Sequence, residues 1–250
     1  SRSFVVKPKP ASQLQVLVTD QRNVGGNWSG SPCSTPPYGK DTAATKTQTA
    51  GVPFTVTVNA CDTYWNITTT NTVVWLNAMI TSTEVDPYAE ITPSSVTLVN
   101  TATFTVTIFT AEPRKMKVSD GDKGLVDQLG EVFDVDPSEP TKIQVLVPGE
   151  TAEPGSPTGK TGTPSVQTAG YGFTPTIRLT DDYFNPAPAP QDITFRLYTE
   201  DPYDTYNNGN YIDYLIPAGN SDGSAVEQPT LITATTTGWV LTADDISPNV

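Results

Sequence analysis

A block of this sequence occurs twice. Gln48-Thr49-Ala50-Gly51 returns as Gln167-Thr168-Ala169-Gly170. The match runs on without a gap, pairing Phe54 with Phe173, Thr57 with Thr176, Asp62 with Asp181, Tyr64 with Tyr183 and Asn66 with Asn185. Upstream, Leu14-Gln15-Val16-Leu17-Val18 corresponds to Ile143-Gln144-Val145-Leu146-Val147. The first copy has the longer loop between its two matches, and that loop carries Cys33. A repeat on this scale means two copies of one structural unit, so the two copies fold alike.

Each copy reads as strands. Residues 53–61 alternate apolar side chains with Thr, the period of a half-buried strand. The first copy also predicts strands at 13–18, 72–80, within 95–109, 114–119 and 129–135. The second predicts them at 143–147, 173–180, 191–199, 210–216, 226–235 and 238–243. No stretch has helical periodicity. With 23 Pro, 18 Gly and only 16% charged residues, this is a chain of short strands joined by turns. About seven such strands per copy is the pattern of a two-sheet sandwich.

The turn after the second strand carries a family resemblance. Leu179-Thr180-Asp181-Asp182-Tyr183-Phe184-Asn185-Pro186 resembles the Asp-x-x-x-Asn-Pro turn of bacterial immunoglobulin-like repeats, the modules of invasin- and intimin-type tandem-repeat surface proteins. Asn59-Ala60-Cys61-Asp62-Thr63-Tyr64-Trp65-Asn66 is the same turn without the final Pro. The resemblance implies immunoglobulin-like sandwiches on a cell surface, serving as stalks or spacers. The turn has its own logic, because Asp and Asn close short turns through their side chains and tolerate left-handed backbone.

The repeat is offset from the chain. Phe4, Val6 and Pro8 align with Phe133, Val135 and Pro137, which end the first copy. Val240-Leu241-Thr242-Ala243-Asp244 matches Met116-Lys117-Val118-Ser119-Asp120, and only six residues follow. The fold expected is therefore all-β: two tandem immunoglobulin-like sandwiches, the second lacking its last strand, plus an N-terminal donor-type strand. The boundaries are 1–12 for the surplus strand and linker, 13–137 for the first domain and 138–250 for the incomplete second. An unfilled sheet edge is a template for an incoming strand. Phe4, Val5 and Val6 are the expected polymerisation strand, and Trp239 and Leu241 the candidates for the groove that accepts it. Such an operation does not close on itself and builds a filament.

Other chemistry is sparse. The chain has no His, which removes Ser-His-Asp catalysis and the commonest zinc sites. No phosphate-binding loop occurs, and no enzymatic activity is expected. A net charge of −13 argues against nucleic acid and anionic membranes, and no apolar run is long enough to span a bilayer. No secretion signal opens the chain, which reads as a processed form or a fragment. Acidic loops, among them Asp120-Gly121-Asp122, leave calcium open with no ligand set assigned, so no metal residue is named. Cys33 and Cys61 suit one disulfide in an oxidising compartment. Asn27 and Asn66 head glycosylation sequons. Tyr203, Tyr206, Tyr211 and Tyr214 form the densest aromatic-polar stretch, a candidate ligand surface for glycans or a subunit contact.

The function expected is a structural subunit of a secreted or cell-surface filament of pilus or fimbrial type. Its partner is itself, with surface glycans as a further partner. The alternatives are a stalk or adhesin segment of a long tandem-repeat protein, or a carbohydrate-binding module.

Overall fold

A computed structural model describes residues 2–30, 36–204, 211–222 and 228–246. The described chain is all-β and has no helix. It divides after Asp136 into two compact units.

Unit 1 holds ten strands: β1 (Gln13–Leu17), β2 (Gln48–Thr49), β3 (Phe54–Cys61), β4 (Thr72–Met79), β5 (Glu90–Thr92), β6 (Val96–Leu98), β7 (Thr101–Thr107), β8 (Lys115–Asp120), β9 (Gln128–Leu129) and β10 (Val135–Asp136). They form two four-stranded antiparallel sheets, ordered β1-β3-β7-β5 and β6-β4-β8-β9, and a parallel pair β10-β2. Alternation decides which side chains enter the core. Phe54, Val56 and Val58 of β3, Val74 and Leu76 of β4, Phe104 and Val106 of β7, and Met116 and Val118 of β8 are all buried. The intervening residues, many of them Thr, point outward.

The segment expected as one strand over 129–135 is broken in three. β9 pairs with β8, Phe133 bridges Arg114, and β10 crosses to β2. Phe133 is 1% exposed and meets the Phe54 ring edge-on at 5.6 Å. The long first loop is tied to this segment from inside. Lys40, 2% exposed, pairs with Glu131, which also accepts from Gln21 Nε2 at 3.2 Å. Burial lowers the Lys40 pKa despite that partner.

Unit 2 holds β11 (Lys142–Leu146), β12 (Glu150–Ala152), β13 (Lys160–Gly162), β14 (Thr176–Thr180), β15 (Ile193–Thr199), β16 (Tyr211–Ile216) and β17 (Leu241–Asp245). The sheets are β11-β14, β12-β13 and β16-β15-β17. The core gathers Ile177, Leu179, Phe195, Leu197, Ile212, Tyr214 and Ile216. No strand forms over the described part of 226–235. Instead Ser221, Pro229 and Leu231 lend carbonyls to the free edge of β14 and its lead-in, at Leu179, Phe173 and Gly170.

The register of β17 corrects the sequence alignment. In the frame that places Asp62 on Asp181, Ala78 corresponds to Leu197. Ala78 lies opposite Met116, whereas Leu197 lies opposite Ala243. Met116 therefore corresponds to Ala243, not Val240, and Leu241 takes the place of Arg114. A short Val-Leu-Thr-Ala run has no landmark residue to fix its alignment, and only the ladder decides.

Phe133→Ala should remove a large ring from a closed site and destabilise unit 1 by about 3–5 kcal/mol. Denaturant unfolding followed by Trp fluorescence checks this, since Trp28, Trp65 and Trp75 lie in unit 1. An unchanged midpoint would mean that Phe133 is not holding the sandwich closed.

Candidate functional site: the aspartate clasps and the edge of the last strand

Each unit receives its chain through the same clasp. Asp62 Oδ1 accepts the N–H groups of Tyr64 at 2.8 Å and Asn66 at 3.0 Å, and Oδ2 accepts the N–H of Lys9 at 3.0 Å. Asp181 Oδ1 accepts from Tyr183 at 2.8 Å and Asn185 at 2.9 Å, and Oδ2 from Ser138 at 3.1 Å. Asn66 and Asn185 each return an amide nitrogen to the same carboxylate. Three residues further on, Ser12 N donates to Cys61 O and Thr141 N to Thr180 O, which starts β1 and β11. One buried carboxylate thus closes a turn and grips the arriving backbone.

The supports of the clasp repeat too. Trp65 and Phe184 sit at positive φ, 65° and 63°, a cost carried because it lays each ring over a glycine. A Cβ on Gly39 would come within 2.4 Å of the Trp65 ring, and one on Gly159 within 2.1 Å of the Phe184 ring. Gln15 Nε2 binds Gly39 O at 2.7 Å, and Gln144 Nε2 binds Gly159 O at 2.8 Å. A lysine stands over an aromatic ring in both, Lys9 over Tyr64 and Lys142 over Phe184.

The units differ where the last strand lies. In unit 1, Gln48 N donates to Asp134 O and Ala50 N to Asp136 O, each at 2.9 Å, while Arg114 and Phe133 exchange backbone bonds at 2.9 Å. Leu14 N also donates to Val126 O at 3.0 Å. Under this cover Leu14 and Val16 are fully buried, as are Gln48 and Ala50. In unit 2 the counterparts are open. Ile143 and Val145 are half-buried, and residues 167–169 are exposed. Among the described residues β17 has one strand neighbour, β15. Leu241 is half-buried against the core at that edge, and Trp239 Nε1 donates to Thr233 O at 2.7 Å. Phe4, Val5 and Val6 are 80% or more exposed and belong to no strand.

The remaining expected sites scatter. Tyr214 is in the core, stacked on Phe195 at 5.2 Å, which removes it from any ligand surface. The alternation of β16 turns Ile212, Tyr214 and Ile216 inward. Tyr211 lies on the outer face under Arg196, Tyr203 is exposed, and Tyr206 lies outside the described residues. Cys61 carries a buried thiol, and its expected partner in a disulfide, Cys33, lies outside the described residues. Burial and neighbouring Asp62 push that thiol up to about 12, and its neighbours are the amides of Gln15 and Asn23. Asn27 Nδ2 binds Pro37 O at 2.9 Å and Asn66 Nδ2 binds Asp62, so both sequon nitrogens are engaged. Asp120 and Asp122 converge on the Thr72 hydroxyl. No group of three His, Cys, Asp or Glu able to hold a metal occurs among the described residues.

One repeated feature escaped the sequence reading. Asp86-Pro87-Tyr88 recurs as Asp201-Pro202-Tyr203. Asp86 accepts the Tyr88 N–H and the buried Arg114 guanidinium at 2.7 Å. Asp201 accepts the N–H groups of Tyr203, Ile232 and Thr233 and the Thr233 hydroxyl. The tripeptide identity was the available signal, hidden by a shorter loop before it in the second copy.

No protein-family model and no curated protein matches the chain. Among solved structures it is similar to domains 5–6 of the S-layer protein SbsC, at 14% identity over 78% of this chain and 96% of that one. The TM-score is 0.27, too low to argue a shared fold.

Burial alone would raise the Asp201 carboxyl, but the bonds from Thr233, Tyr203 and Ile232 outweigh it and hold it at about 2. Burial opposes, and the bonds from Asn66, Lys9 and Tyr64 likewise lower, the Asp62 carboxyl. A depressed carboxylate stabilises fully above its unfolded value of about 4 and loses that contribution as pH falls through its folded value. Thermal stability should therefore drop from about pH 4 towards pH 2, and Asp201→Asn should flatten that limb; an unaltered slope would refute the assignment. Asp181→Ala should cost about 2–4 kcal/mol by stranding buried N–H groups, measured by denaturant unfolding.

Proposed function

We propose that this chain is a structural subunit of an extracellular filament on a cell surface, built from immunoglobulin-like sandwiches. It polymerises head-to-tail by giving its N-terminal strand, Phe4, Val5 and Val6, to the second unit of a neighbour. The observation that carries this reading is the contrast at the repeated Gln-Thr-Ala-Gly block. Gln48 and Ala50 are buried beside β10, whereas their counterparts Gln167 and Ala169 are exposed, and so is the segment that aligns with β10. Two four-stranded antiparallel sheets in unit 1, with Val135–Asp136 of its last segment pairing in parallel with β2, support the sandwich reading.

Burying Phe4 and Val6 would contribute roughly 3–6 kcal/mol before the cost of ordering the segment. Backbone bonds to an unpaired edge add direction and register. No catalytic role is proposed, since the chain lacks His and its buried carboxylates are engaged in turns. A glycan-binding surface would have to do without Tyr214, which is in the core.

A second reading is favoured by the clasps. Their near atom-for-atom repetition suits a stalk of many such units in one long surface protein, in which the strand ahead of each clasp completes the unit before it. Both readings place residues 4–6 on a preceding sandwich and differ in whether that sandwich is covalently attached. Electron microscopy of the full chain and of a variant lacking residues 2–6 tests the first. Filaments are expected only from the full chain. Filaments formed equally by both would end the strand-donation reading, and a single denatured chain far above 26.7 kDa in the natural material would favour the stalk.

A further inference from the structure

The exposed segment differs in charge from the strand it imitates. In unit 1 the covering segment carries Glu131, Asp134 and Asp136. The aligned positions of the N-terminal segment are Arg2, Val5 and Lys7, and Lys9 follows. Every acidic position has become basic or apolar. Unit 2, from residue 137 onward, has four Lys and Arg against 14 Asp and Glu. Two of these, Asp244 and Asp245, lie exposed on the edge strand β17. A strand made for unit 1 would meet repulsion there, whereas the basic segment meets attraction.

Resting on the strand-donation reading, we infer that the acceptor is the open edge of unit 2 in a second copy of this chain, in one defined register. Val6 lies opposite Gln167 and Lys7 opposite Thr168, as Val135 and Asp136 lie opposite Gln48 and Thr49. Phe4 exchanges backbone bonds with Leu241, in the manner of Phe133 with Arg114. Its ring comes to the edge of Phe173, the counterpart of Phe54. Val5 faces solvent, which fits the loss of an acid at that position. The Lys9 N–H held by Asp62 fixes where the donor leaves its own unit, so residues 4–6 are presented at a constant distance from the clasp. Lys7 and Arg2 select the acidic unit over unit 1, whose edge is already filled.

Disulfide trapping tests the register. In a Cys33→Ser, Cys61→Ser background, Val6→Cys with Gln167→Cys should give, on oxidation, a ladder of multiples of the chain mass on a non-reducing gel. Val5→Cys with Gln167→Cys, whose side chain points to the other face, should give roughly tenfold less. Raising the salt to 0.5 M, or introducing Lys7→Glu, should slow ladder formation roughly tenfold. A fast-migrating single chain would show closure within one molecule and overturn the second-copy partner. Filaments without the Val6–Gln167 link would overturn the register and leave strand donation standing. Neither filaments nor link would overturn both. A ladder indifferent to salt and to Lys7→Glu would overturn charge selection.

Discussion

The carboxylates of Asp62 and Asp181 are the points on which each unit's entry depends. A loop that runs into a strand brings backbone N–H groups that must find acceptors. Each of these side chains takes two such groups from the turn after the second strand and a third from the arriving chain. Placing three donors on one anion couples segments that are far apart in sequence. The glycine beneath the aromatic ring, the glutamine that binds that glycine, and the lysine over a ring all follow from holding this turn in place. The clasp recurs in near-identical detail because it has few solutions: a larger residue at Gly39 or Gly159 would collide with its ring.

The other end of unit 1 is sealed by apolar burial as well as by the pair that buried Lys40 makes with Glu131. Phe133 and Val135 bring apolar surface to an edge, and residues 48–50 supply the backbone partners. Where that cover is present, Leu14 and Val16 are sealed; where it is not, Ile143 and Val145 stay half open. The same local sequence thus has two levels of burial in one chain. Phe4 and Val6 in the exposed N-terminal segment repeat the apolar spacing of Phe133 and Val135.

Much of this was readable in the sequence. The duplicated Gln-Thr-Ala-Gly block and the Asp turns are identities or near-identities, and the strands around them follow from period-two alternation. What escaped had physical causes. The register of β17 was three residues out because a Val-Leu-Thr-Ala run has no landmark; the ladder with β15 supplies one. The Asp-Pro-Tyr repeat was masked by a length change in the preceding loop. Tyr214 was grouped with its neighbours by composition, although the alternation of Ile212, Tyr214 and Ile216 already pointed it inward. Cys61 ends a buried strand with the amides of Gln15 and Asn23 beside its sulfur, a setting that composition alone does not reveal.

The parallel pairing of β10 with β2 has a mechanical side. A load that draws the C-terminal end of β10 away from the N-terminal end of β2 acts along both strands in opposite senses. Two parallel strands loaded in that sense slide against one another, so their hydrogen bonds share the load and must fail together. An antiparallel hairpin pulled from its open end would peel, bond by bond. Under such a load the Val135–Gln48 and Asp136–Thr49 pairs would resist together, with Phe133 buried beside them.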